Sequence, residues 1–230
     1  MSGLATRSLA QEQMDAPDLP PEQYQAVLAD LSKVNGWTMA AGPTLRFLKQ
    51  VARPGRPLKV LDVGFGQGDM LRRIARWAAR RGVPVTLVGI DLNPRSAAIA
   101  RDATDPALGI DYRTGDYADL AGEGWDIILS SLVAHHMSHD ELIAFLRFMS
   151  VQAAVGWFIN DLHRHSFAHR TYPLLARMMG WHRIVRQDGT LSIARSYRPH
   201  EWPPILAQAG VARARVRRAF PFRLCVEWTR

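Results

Sequence analysis

The sequence predicts an α/β fold: a seven-stranded, mostly parallel sheet with a C-terminal antiparallel hairpin and an N-terminal helical cap. Three observations lead there. From Leu58 onward, short apolar runs alternate with helical patterns, as in a parallel sheet covered on both faces. The first run (Leu58, Val60, Leu61, Val63) stops at three glycines spaced two apart, Gly64, Gly66 and Gly68, and a helical pattern follows at once. The last two segments, 213–219 and 223–228, partly alternate apolar and polar residues around Phe220-Pro221-Phe222, which reads as a hairpin.

Each element has its own signal. Residues 1–20 are polar and rich in Asp, Gln and Pro, and are expected to be loose. Pro20-Pro21 opens a helix whose face is Tyr24, Val27, Leu28, Leu31 and Val34, broken at Asn35-Gly36. Pro43 opens a second, with Leu45, Phe47, Leu48 and Val51, ending before Pro54. After the glycines, Met70, Leu71, Ile74, Ala75 and Ala78 form an inner face, Arg72, Arg73, Arg76 and Arg80 an outer one, and Gly82 the stop. Strands follow at 85–90, 110–113, 125–129 and 155–159. Asn93 caps and Pro94 opens a helix between the first two of these. Ser138 and Glu141 form a capping box ahead of Leu142, Phe145, Leu146 and Met149. The division expected is a helical cap over 1–56 and one domain over 57–230, with an insertion at about 161–210 carrying helices near 167–179 and 199–209.

Composition narrows the function. A chain of 230 residues fits one large α/β domain. The net charge is +8, yet 26 of the 29 basic residues are scattered arginines, a coding bias rather than a nucleic-acid patch. Neither a secretory leader nor an apolar run of about 18 residues is present, so the expectation is a cytoplasmic protein without stable membrane insertion. The single cysteine, Cys225, excludes an internal disulfide and is expected to pack in the last strand.

The strand, glycine turn and helix form a ligand site, because glycines admit φ > 0 and close approach while the helix N-terminus offers free N–H groups. A dinucleotide turn needs glycine at its sixth position, which here is Asp69. Val60-Leu61-Asp62-Val63-Gly64-Phe65-Gly66-Gln67-Gly68 instead resembles the first motif of class I S-adenosylmethionine (SAM) dependent methyltransferases, whose fold is Rossmann-like. The resemblance covers residues 58–160. It implies SAM as cofactor, held at Asp62, Gly64, Gly66 and Gly68. The second strand ends in Asp91-Leu92, and an acid there can accept from both ribose hydroxyls. After the third strand come Gly115, Asp116 and Tyr117, where family members hold the adenine amino group. The fourth ends in Ser130-Ser131-Leu132, followed by His135-His136, and is similar to the fourth motif of small-molecule methyltransferases. It lacks the proline-rich motif of DNA amino-methyltransferases and the proline-cysteine nucleophile of cytosine C5 enzymes.

The fifth strand delivers Asn160-Asp161-Leu162-His163-Arg164-His165. With the N-terminal helices, expected as a lid, these segments resemble short bacterial O-methyltransferases encoded beside type III polyketide synthases, which act on phenolic lipids. That resemblance implies a small phenolic or polyketide-derived acceptor methylated on oxygen. Carbon methylation of a quinone or polyketide ring, and a silent SAM-binding protein, are the alternatives. A phenol with pKa about 10 is within reach of a histidine base. The candidates are His136, His163 and His135, with Asp161 or Arg164 orienting or polarising. His163, His165 and His169 lie at a spacing that fits no standard metal site, and no metal is expected. Phe167, Tyr172, Met178, Met179 and Trp181 are candidates to line the acceptor pocket.

Overall fold

A computed structural model describes residues 4–230; of the segment expected to be loose, residues 1–3 lie outside the described residues. The strands are β1 Leu58–Val63, β2 Val85–Asp91, β3 Asp111–Thr114, β4 Trp125–Ser131, β5 Ala153–Leu162, β6 Arg215–Ala219 and β7 Arg223–Thr229. They form one sheet in the order β3-β2-β1-β4-β5-β7-β6. The first five are parallel, and β7 runs antiparallel between β5 and β6. The helices are α1 Pro21–Trp37, α2 Ala41–Val51, α3 Asp69–Arg81, α4 Pro94–Asp102, α5 His139–Gln152, α6 Ser166–Met178, α7 Arg183–Arg195 and α8 Trp202–Gln208.

The pleat divides the core. Val60, Ile127, Leu129 and Phe158 face α2 and α3, whereas Leu61, Ile128, Trp157 and Ile159 face α5 and α8, as strict alternation along buried strands requires. A third apolar cluster joins α1 to α6 and α7 through Val27, Ala176, Trp181, Ile184 and Val185. Parallel pairing brings the carboxyl ends of β1, β2, β4 and β5 to one edge, where a cleft opens. The expected capping box is complete: Ser138 Oγ accepts from Glu141 N, and Glu141 accepts from Ser138 N.

Several expectations are corrected. Residues 4–20 are not loose. They cross α7 as a strap, with Ser8 N–H donating to Ala194 O and the N–H groups of Gln13 and Met14 donating to Asp188. Helix α1 runs through Asn35-Gly36 and ends at Thr38, whose N–H and Oγ1 both donate to Val34 O. Arg72 turns inward, donating to Gln67 O and Thr104 Oγ1. Strand β5 continues to Leu162, so Asn160 and Asp161 belong to the rigid sheet. The insertion contains a helix that apolar periodicity missed, α7, because its buried face includes Asp188, Ser192 and Arg195.

The turn after β1 depends on close contact. Gly68 has φ +76°, and a Cβ there would lie 2.4 Å from Tyr112 Oη. Strain and overlap together cost about 1–3 kcal/mol. Gly68→Ala is therefore expected to lower stability by that amount in urea unfolding, with an unchanged slope; a midpoint equal to wild type would contradict the packing.

Candidate active site

The cleft holds about 630 Å³ and is walled by α1, the strap, the glycine turn, the ends of β2, β4 and β5, α6 and the start of β7. At its glycine end, Gly64 N–H donates to Ile90 O and Gly66 N–H donates to Asp91 Oδ2 at 2.9 Å. A Cβ on Gly64 would meet Val133 Cγ2 at 2.3 Å, so only glycine lets β1 and the loop after β4 converge here. Asp91 Oδ1 accepts from Asn93 N–H. Each Asp91 oxygen thus keeps lone-pair capacity toward the cleft while its other bond shapes the turn.

This end is acidic. Asp62, Asp69 and Asp91 all line the cleft, and burial first, then mutual repulsion, holds the Asp62 carboxyl well above the usual range. Asp69 is raised by burial against the pull of Arg73 and Arg72, and Asp91 by burial against its backbone donors. Asp62 Oδ1 and Ser131 Oγ are buried without a partner.

The remaining cofactor candidates divide. Leu92, Gly115, Tyr117, Ser131 and Leu132 line the cleft; Leu92 is exposed at its rim, and Leu132 holds φ +62°. Asp116 is exposed and turns Oδ1 to Ala118 N–H, capping a short turn. Ser130 is buried in the sheet, where Oγ donates to Val63 O.

Deeper in the cleft lies a buried ion network. Asp161 Oδ2 accepts from His135 N–H at 2.9 Å, and Oδ1 stands 2.7 Å from His135 Nδ1. His135 Nε2 faces Glu12 Oε1 at 3.6 Å, and His136 Nε2 faces Glu12 Oε2 at 3.8 Å. His136 Nδ1 is 3.1 Å from Asp15 Oδ2. Glu12, His135 and His136 offer three ligand atoms within 4.8 Å of one another, a spacing that a cation can span. Arg195 donates to the carbonyls of His135, His136 and Ala10, binding loop and strap together.

Burial alone would discharge His135, but Asp161 and Glu12 outweigh it and push the imidazole up to about 9. Burial likewise raises Glu12 and Asp161, and their histidine partners bring both below the ordinary range. His163, at the end of β5, goes the other way. Burial first, then nearby basic groups led by Arg218, lower it to about 4.

The other acceptor-side candidates are scattered. Arg164 is buried away from the cleft and pairs with Glu201. Among the aromatic and sulfur residues, Tyr172 lines the cleft, Phe167 and Met178 are exposed, and Trp181 packs against Val27 and Ile184. His165 caps α6 by accepting from Phe167 N–H. Sequence reasoning missed Glu12, Asp15, Arg195 and Arg223, which lie in the strap, α7 and the hairpin. Glu12 and Asp15 carried no signal beyond being acids in a polar stretch.

Among the described residues, no helix is long and apolar enough to cross a membrane. Comparison with known proteins agrees with the fold. Residues 60–156 match a family model described as a methyltransferase domain. The ubiquinone biosynthesis O-methyltransferase of Agrobacterium fabrum is 34% identical over 93 residues, covering 39% of this chain and 35% of that one. The Chelativorans protein of the same name is 28% identical over 167 residues, 70% of this chain and 62% of its own. This chain thus spans about a third to three-fifths of these relatives. Magnesium protoporphyrin IX methyltransferase from Synechocystis with bound SAH superposes with TM-score 0.58, 19% identity and coverage of 85% and 84% of the two chains. A SAM dependent methyltransferase from Aquifex aeolicus gives 0.61, 18%, 91% and 98%.

The network sets the pH response. His135, raised, contributes stability that is complete below its unfolded value of about 6.5 and is lost as pH rises through about 9. Asp161 and Glu12, lowered, contribute above their unfolded values and lose it on acidification. Calorimetric melting should therefore show Tm falling on both sides of neutrality, with the alkaline limb flattened in His135→Gln. An identical alkaline limb in the variant contradicts the assignment.

Proposed function

We propose that this chain, whose residues 60–156 carry a methyltransferase domain, transfers a methyl group from SAM to an oxygen of a small phenolic acceptor. The observation that carries the reading is the acidic glycine end of the cleft. Three carboxyls with raised pKa, the buried Asp62 and the half-buried Asp69 and Asp91, call for a cationic ligand. The ammonium and sulfonium of SAM meet that demand. The fit extends to polar atoms: the unpartnered Asp62 Oδ1 and Ser131 Oγ face a ligand with donors and acceptors to satisfy them. The position of Asp91 at the end of β2 supports a role for it with the ribose hydroxyls. The relatives' name, ubiquinone biosynthesis O-methyltransferase, supports oxygen as the atom methylated.

When bound, the cofactor supplies a sulfonium methyl for in-line displacement by the acceptor oxygen. The protein's part is to align that oxygen, exclude water and remove a proton, alignment being worth roughly 7–11 kcal/mol. His136 is the base. Its Nδ1 stands 3.1 Å from Asp15 Oδ2 and its Nε2 3.8 Å from Glu12 Oε2, so two carboxylates orient a ring that lines the cleft. His135, up at about 9, stays an imidazolium at neutral pH and, held between Asp161 and Glu12, fixes the loop that carries His136. His163, down at about 4, is neutral and too weak a base for a phenol. The strap and α1 wall this end and keep water from the sulfonium.

Two experiments test this. Calorimetry should detect SAM and SAH binding that Asp91→Ala weakens at least tenfold; a wild-type Kd weaker than about 1 mM refutes the donor site. With an acceptor found by mass spectrometry among phenols and alkylresorcinols, His136→Gln should lower kcat about 10²–10⁴-fold with little change in KM. The base is misassigned if His163→Gln does this and His136→Gln does not.

A further inference from the structure

Arg223 opens β7 at the floor of the cleft. It is 2% exposed and belongs to the cavity wall together with Leu162 and Thr38. Its Nη2 donates to Thr38 Oγ1 at 3.2 Å, while Nε and Nη1 are buried without a partner. The buried Arg164 and Arg195 have Glu201 and Glu12 as counter-charges. Among the described residues, no carboxylate comes within 4.0 Å of Arg223 to do the same. Burial lowers its pKa, and the pull of Asp161 and Asp69 from beyond contact distance does not make up the loss. A guanidinium in that position is costly unless something anionic completes it.

We propose that Arg223 binds a carboxylate carried by a ligand in the cleft, and that this carboxylate belongs to the methyl acceptor. A monoanion matches the single charge, and a planar carboxylate matches the donors of the guanidinium fork. Position argues for the acceptor. In the sheet, β7 is three strands from β1 and Arg223 pairs with Leu162 at the end of β5, so the guanidinium joins the cleft wall from the β5 side, with Asp69 after the glycine turn still near enough to act on its charge. The two charged ends of the cleft are then complementary to two ligands: carboxylates toward a cationic donor, a guanidinium toward an anionic acceptor. This rests on the methyl-transfer reading of the cleft.

The test compares wild type, Arg223→Met and Arg223→Lys by calorimetry, using benzoate against benzamide in the presence and absence of SAH, and SAH against 5′-methylthioadenosine, which lacks the amino-acid carboxylate. Wild type should prefer benzoate to benzamide about tenfold or more. Arg223→Met should abolish that preference, and Arg223→Lys, which keeps the charge without the fork, should retain part of it. If Arg223→Met instead abolishes the preference for SAH over 5′-methylthioadenosine, the carboxylate site stands and its source is the donor. Both preferences unchanged in Arg223→Met, or absent from wild type, overturn the proposal. SAH binding that survives while the benzoate preference fails sinks Arg223 alone. Absence of SAH binding to wild type sinks the methyl-transfer reading, and the benzoate arm without SAH still reports on Arg223. Melting of the unliganded proteins checks that the variants fold.

Discussion

A carboxylate buried to 2% exposure must be surrounded by donors, and the architecture of this cleft follows from how Asp161 meets that requirement. It takes two bonds from His135, by backbone N–H and ring, and one from Leu162 N–H. The loop after β4 is thereby pinned to the end of β5. The pinned imidazole presents Nε2 to Glu12, which draws the strap over the cleft, and Arg195 on α7 locks the strap to the same loop. Four distant segments are organised by one acid. Removing any member strands a charge in low dielectric, so the network acts as a unit.

The same cleft gives three histidines three different characters. His135 is charged because two carboxylates outweigh its burial. His163 is neutral because nearby arginines, Arg218 first, reinforce its burial. His136 is half-buried, with one nitrogen held by Asp15 and the other turned inward. Residue type alone could not rank them as bases, since the ranking is set by neighbours contributed by the strap and the hairpin. Acid–base roles in one site separate when environments push like groups apart.

What the sequence revealed and what it hid follow from the range of the interactions. The glycine spacing, the alternation of strands and helices, the Ser138 capping box and the hairpin are local, and each was legible because the cause lies within a few residues of its effect. The reading failed where polar groups are buried by partners far along the chain. Helix α7 escaped notice because Asp188 and Ser192 occupy positions where periodicity looks for apolar residues, and their partners lie in the strap. Residues 4–20 looked loose because they carry little apolar surface. Their order comes from charge and hydrogen bonding: Arg7 donates to Arg195 O and to His135 O, more than a hundred positions away. In the glycine end the opposite held, and Gly64, Gly66, Gly68 and Asp91 converge as their spacing implied.

Two coverings therefore meet over the cleft, and different physics holds each. Helix α1 is fastened by apolar packing of Val27 on Ile184 and Val185, with Tyr24 bonded to Ser96. One carboxylate adds to that attachment, Asp30 accepting from His182 N–H at 2.7 Å. The strap is fastened by Glu12, Asp15, Arg7 and Arg195, groups whose attraction depends on protonation and on the cationic state of His135. Screening by salt reaches the half-exposed Asp15 far more than the buried His135–Asp161 pair. Of the two coverings, the outer edge of the strap is thus the more responsive to salt. Its inner anchor, Glu12, is as deeply buried as the core it closes.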